Sequence, residues 1–243
     1  MKNRKFALLL ALVMVACVLL PGCGEKAPAE TKAPVQTAAP VETTVPVETT
    51  APAEERNLSL GVIEGTTYTN RYAGLEIRLD DSWTIYPAEQ LQELPDILKD
   101  MAEGTDMEQA LEGVQQITDV LAENADELTT INLVMQKLST QERIVYKLMD
   151  EEALVDTLLS QKDSMITVYA QGGINVSSMD KVTVTYMGQE HLALKTVAET
   201  QGVPYYILQL FDFDLGAYSV TITLGSFVED KTESLLDLLH ALD

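Results

Sequence analysis

Cysteine runs out early in this sequence. Cys17 and Cys23 are the only two in 243 residues, so nothing beyond position 23 can form a disulfide, supply a thiolate nucleophile or bind a metal through sulfur. Histidine is nearly as scarce, with His191 and His240 alone, and the usual pairings of nucleophile and base have little to draw on. The chain has no Gly-x-Ser-x-Gly elbow, no phosphate-binding glycine loop, no Rossmann glycine set and no His-Glu-x-x-His, so no cofactor is implied. Positive charge is short as well: 16 Lys and Arg stand against 38 Asp and Glu, for a net charge of -22. That balance excludes nucleic acid, and an anionic lipid surface, as electrostatic partners, because both are held by cations that neutralise phosphate. Acidity of this kind ordinarily keeps an exported protein in solution.

What is present begins with a positive N-terminus. Lys2, Arg4 and Lys5 precede an uncharged apolar run from Phe6 to Leu20, which is the layout of a secretory signal. A helix that spans a bilayer needs about 20 apolar residues, and this run stops short at Pro21-Gly22. The ending Leu20-Pro21-Gly22-Cys23 resembles the lipobox of bacterial lipoproteins, with Pro21 where Ala or Ser is more usual. The resemblance implies cleavage between Gly22 and Cys23 and acylation of Cys23, which becomes the mature N-terminus. A diacylglyceryl thioether and an amide-linked chain then supply the two or more hydrophobic anchors that stable attachment requires. Residues 1–22, which carry three cations and no acid, are lost, and the net charge moves from -22 to -25. An ordinary signal peptide cut nearby, with both cysteines incidental, is the competing reading.

Residues 23–57 form the next unit. From Glu25 to Arg56 there is no aromatic residue, proline recurs, and Pro40-Val41-Glu42-Thr43-Thr44 is echoed by Pro46-Val47-Glu48-Thr49-Thr50. Such a segment cannot bury enough apolar area to offset its conformational entropy. It reads as a disordered tether, stiffened by proline toward an extended chain.

The folded unit is expected over residues 58–243. Leu75, Ile77 and Leu79 alternate with Glu76 and Arg78 after a turn at Tyr72-Ala73-Gly74, as a strand with one buried face does. Met107, Ala110, Leu111, Val114, Ile117 and Leu121 predict a helix opened by Asp106, and Pro95 a kink or a new start before it. Ile131, Leu133 and Met135 predict a strand, and 151–170 a helix capped by Asp150 and ended by Gly172-Gly173. Four strands follow, over 181–187, 191–199, 203–213 and 218–224, joined by short glycine-bearing turns and therefore antiparallel neighbours. A helix over 232–242 closes the chain. This order predicts an α+β fold, an antiparallel β-sheet flanked by helices.

The run Gly65-Thr66-Thr67-Tyr68-Thr69-Asn70-Arg71-Tyr72-Ala73-Gly74-Leu75-Glu76-Ile77-Arg78-Leu79, with Trp83 after it, resembles the opening of bacterial lipoproteins with a PsbP-like domain, the fold of an extrinsic photosystem II protein. Asp80-Asp81-Ser82 stands where that pattern has Pro-x-Gly. The resemblance implies an α/β sandwich that serves as a binding or assembly module, and no catalytic residues.

Each candidate for chemistry has a plain structural reading beside it. His191 next to Glu190 suits a sensor or ligand, but also the exposed end of a strand. His240 sits among leucines. Asp212-Phe213-Asp214-Leu215-Gly216 echoes a calcium loop without its third ligand or its spaced glutamate, and reads equally as a strand turning at glycine. The acid groups Asp80-Asp81, Asp150-Glu151-Glu152 and Glu229-Asp230 read as solvated, and Trp83 as a core residue. No metal site is implied. The expectation is a lipid-anchored, extracytoplasmic, non-enzymatic module held to the membrane through Cys23, with a protein or small-molecule partner. The alternatives are a small-ligand receptor lipoprotein serving a transporter and a hydrolase built on a carboxylate pair.

Overall fold

A computed structural model describes residues 57–94, 103–104, 115–212 and 216–242. The lipobox, the tether, the kink at Pro95, the stretch from Asp106 to Val114 and the centre of the calcium-loop echo lie outside them. The described residues form a β-rich fold with two antiparallel sheets and three α-helices. The smaller sheet has β1 (Val62–Glu64), β2 (Thr67–Asn70), β3 (Leu75–Arg78) and, beside β3, the last strand of the chain. The larger holds seven strands, beginning with β4 (Trp83–Pro87), β5 (Gln116–Asn124) and β6 (Thr129–Lys137) as one antiparallel meander.

The chain then leaves the sheet for helices α1 (Thr140–Lys147), α2 (Glu151–Ser160) and α3 (Lys162–Gln171). It returns as β7 (Ile174–Tyr186), β8 (Gln189–Thr200), β9 (Val203–Asp212) and β10 (Tyr218–Phe227), a second meander that ends by pairing β10 with β6. The β7–β8 and β8–β9 hairpins are two-residue turns, Met187-Gly188 and Gln201-Gly202, and all four residues have positive φ. Turns of that hand match the twist of the strands they join, and glycine takes the second position without steric cost.

The core lies between the sheets. Tyr68, Leu75 and Ile77 from the small sheet meet Leu133, Leu208, Ile222 and Leu224 from the large one, all at most 5% exposed. Helices cover the other face over β7 to β9. Met165 and Tyr169 of α3 pack on Ile207 and Tyr205, while Leu154 and Leu158 of α2 join Tyr146 of α1 around Phe211. The sheets are tied at their rim by Tyr72, whose hydroxyl donates to the Tyr218 carbonyl at 3.0 Å and accepts from the Tyr218 N–H at 2.8 Å. Tyr72→Phe leaves both backbone groups of Tyr218 without that partner in a buried setting, so it is expected to destabilise the fold by about 2 kcal/mol. The urea midpoint should fall at unchanged m-value.

Four expectations are corrected. Residues 116–124 are a strand, not the end of a helix. The strand is apolar on both faces. A β-bulge between Thr118 and Val120 leaves Ile117, Val120 and Ala122 on the core between the sheets, while Leu121 packs with Leu91 and Leu94 in another cluster. The four-residue step from Ile117 to Leu121 therefore joins two different faces and imitates a helical stripe. The helix over 151–170 is two helices, broken where Gln161 takes φ -95° and ψ 8°, so that each half reaches its own cluster on the sheet. The closing helix over 232–242 is a 3₁₀ turn, Ser234–Leu238, followed by β11 (Leu239–Ala241), which pairs with the open edge of β3. Finally, β7 starts seven residues before the expected Lys181. Its early part, Asn175 to Asp180, is polar and bulged as an edge strand often is, so the apolar alternation there is weak.

Helix α1 was not foreseen at all, although Ser139 and Glu142 form a complete capping box at its start. At Asp80-Asp81-Ser82 the Asp80 carboxylate accepts from the Ser82 N–H at 2.8 Å and closes the turn. Those bonds from Ser82 hold the Asp80 carboxyl below the usual carboxylate range.

Candidate functional site

At one end of the large sheet the strands and helices do not close on each other, and a cavity of about 420 Å³ remains. Leu210 of β9 with Val220 and Ile222 of β10 forms its apolar floor, and Tyr146, Met149 and Leu154 from α1, α2 and their junction form a wall. Tyr186, Glu190 and His191, around the β7–β8 turn, line it as well. Asp150, Glu151 and Asp212 complete the polar lining. The size falls within the range of small-molecule sites, roughly 300 to 1,000 Å³.

Each polar group is placed by a local cause. Asp150 is the N-cap of α2 and accepts from the Ala153 N–H at 2.8 Å, which offsets the positive pole of that helix end. Glu151, one residue on, reaches His191 of β8, with 3.0 Å between its Oε1 and Nδ1. The His191 ring also meets Tyr186 edge to face at 5.5 Å between centroids. Burial pushes the Tyr186 hydroxyl well above the ordinary tyrosine range, and the negative charge of Asp212 adds to it.

The described residues that line this cavity include four carboxylates and no lysine or arginine. Such a site can hold an apolar body by area and by its aromatic side chains. The chain matches no protein-family model, and no curated protein is significantly similar to it. Among the described residues no helix is long and apolar enough to cross a membrane. Nor do three His, Cys, Asp or Glu side chains among them converge as a metal site requires.

The sequence-derived candidates are scattered by comparison. Gly22 and Cys23 lie outside the described residues. His191 comes to the cavity together with Glu190, Asp150, Glu151 and Asp212, so three separate acidic stretches and one histidine share a site. His240 lies on β11 opposite Glu76 and does not line the cavity. Asp80 serves its own turn. Asp230 pairs with Lys195; burial raises its carboxyl, but the bonds from Lys195 and Thr232 outweigh this and hold it below the usual range. Trp83 begins β4 and packs half-buried against the core. Tyr146, Tyr186 and Phe211 had no signal as site residues, because they come from separate elements, α1, β7 and β9, that only the fold brings together.

Proposed function

We propose that this chain is a lipid-anchored, extracytoplasmic binding module of the PsbP-like type, non-enzymatic, whose ligand occupies the cavity at the end of the large sheet. The cavity carries the reading. An apolar floor gives affinity to a compound of modest size, and a few polar groups in the lining give it orientation. The lipobox resemblance supplies the location, and the tether the reach away from the lipid. The run Tyr68-Thr69-Asn70, the strand Leu75–Arg78 after it and Trp83 support the PsbP-like assignment, as does the layering of helices on an antiparallel sheet. A preformed pocket also favours the second reading, a receptor lipoprotein that hands a small ligand to a transporter.

The test uses the chain from residue 23 onward carrying Cys23→Ala, so that neither lipid nor detergent interferes, with its Ile, Leu and Val methyls labelled for NMR. Hexylammonium, hexan-1-ol and hexanoate are titrated separately. Shifts centred on Leu210, Val220 and Ile222 for at least one compound are expected. If none of the three moves those methyls, the cavity does not bind small apolar ligands and the reading fails.

A further inference from the structure

We propose that the ligand of this cavity is an aromatic compound, a ring that carries one neutral oxygen able to accept a hydrogen bond. The inference rests on the binding role just described and adds the ligand class. Two features of the lining select that class, and neither depends on net charge. The first is the share of rings. Tyr146 of α1, Tyr186 of β7, His191 of β8 and Phe211 of β9 all line the one space of about 420 Å³. Rings favour offset or edge-to-face contact with other rings, and such pairs stabilise beyond the area they bury. Tyr186 and His191 already meet in that way. Met149 brings a thioether to the same lining, and sulfur makes favourable contacts at ring edges. A saturated body of the same size gains from burial alone.

The second feature is the Tyr186 hydroxyl. Asp150 is engaged by the Ala153 N–H and Glu151 by His191, but the Tyr186 hydroxyl makes no hydrogen bond among the described residues. Burial takes much of its water away and holds the phenol proton on far into base, so the group stands as a donor. A desolvated hydroxyl without a partner is costly. A ligand oxygen set against it forms the bond that the fold leaves unmade. The described lining has no lysine or arginine to pair with a carboxylate, which makes that oxygen a neutral one, as in a ketone, an ester or an amide.

The methyl-labelled protein separates this proposal from the one it rests on. Acetophenone, cyclohexyl methyl ketone and ethylbenzene are titrated beside hexan-1-ol. Acetophenone is expected to bind about fivefold more tightly than cyclohexyl methyl ketone, the size of one good ring–ring contact. Area alone predicts no such preference, since the saturated ring is the bulkier and more apolar of the two. Tyr186→Phe should weaken acetophenone about fivefold, the size of one hydrogen bond, and leave ethylbenzene unchanged, because ethylbenzene has no oxygen to lose. The substitution keeps the ring, and the methyl spectrum reports directly that the fold is intact. If cyclohexyl methyl ketone binds as tightly as acetophenone, or Tyr186→Phe fails to weaken acetophenone more than ethylbenzene, the ligand class is wrong, and hexan-1-ol shifting the floor methyls shows that the cavity still binds. Silence from every probe ends both.

Discussion

With Cys23→Ala the protein is expected to pass from the membrane pellet to the soluble fraction almost completely. The size of the effect follows from what else could hold the chain at the bilayer. One acyl chain gives only marginal attachment, and stable anchoring takes two signals, either a second chain or a cluster of basic residues. From Cys23 onward the sequence has no basic cluster, and the net charge of about -25 there repels an anionic leaflet, where each added cation would have contributed roughly 1 kcal/mol. On the proposed lipoprotein reading, a lipid on Cys23 would carry the whole attachment, and nothing else would soften its loss. The apolar run Phe6–Leu20 is shorter than the about 20 residues a span needs, so an uncleaved signal is a poor substitute. Fractionation of cells expressing either form, with the mass of the mature N-terminal peptide of the unaltered protein, checks both halves. An unaltered protein in the soluble fraction, or an N-terminal peptide with no lipid on Cys23, overturns the lipoprotein reading.

Legibility in the sequence followed the kind of burial each segment has. Leu75 and Ile77 were readable because β3 has one buried and one wetter face, and the second meander because Gly188 and Gly202 mark its turns. The polar, bulged start of β7 and the bulge at Thr118 erased the period that would have shown those strands. The C-terminal leucines were correctly apolar, since Leu235, Leu236 and Leu239 all enter the core. Their backbone is set instead by a long-range demand, the unpaired edge of β3, which no local pattern expresses. The candidate site suffered most. Asp150 and Asp212 were visible as acids, but that they face one cavity depends on α1, on the break at Gln161 and on the return of β10 to β6.

Asp119→Ala should be the most damaging single change to the fold, at roughly 3 to 5 kcal/mol, and nothing in the sequence singled this residue out. Asp119 is 2% exposed and sits in the β5 bulge, displaced from the regular ladder. One of its oxygens, Oδ2, accepts from the Gly61 N–H at 2.9 Å, from Asn70 Nδ2 at 2.7 Å and from the Tyr68 hydroxyl. Asn70 in turn accepts from the Ala73 N–H at 2.8 Å, so the carboxylate fixes the β2–β3 turn as well as the start of the folded unit. The packing is close enough that a Cβ on Gly61 would lie 2.1 Å from the Tyr68 ring. Removing the carboxylate leaves three buried donors short of an acceptor, whereas Asp119→Asn keeps the shape and one acceptor oxygen and should cost about half as much. For a unit of this size the alanine variant corresponds to a melting temperature lower by roughly 10 °C. The same contact gives a signature in base. Burial, and then the charge of Asp119, raises the Tyr68 hydroxyl far above its ordinary value near 10. The unfolded chain therefore loses that proton first, and stability present below pH 10 declines as the pH rises above it. Tyr68→Phe should flatten that decline, since no proton is then held by the folded state alone. A Tyr68→Phe protein that loses stability above pH 10 as steeply as the unaltered one, or an Asp119→Ala protein that melts within a degree or two of it, would show that this buried carboxylate is not what fastens the small sheet to the large one.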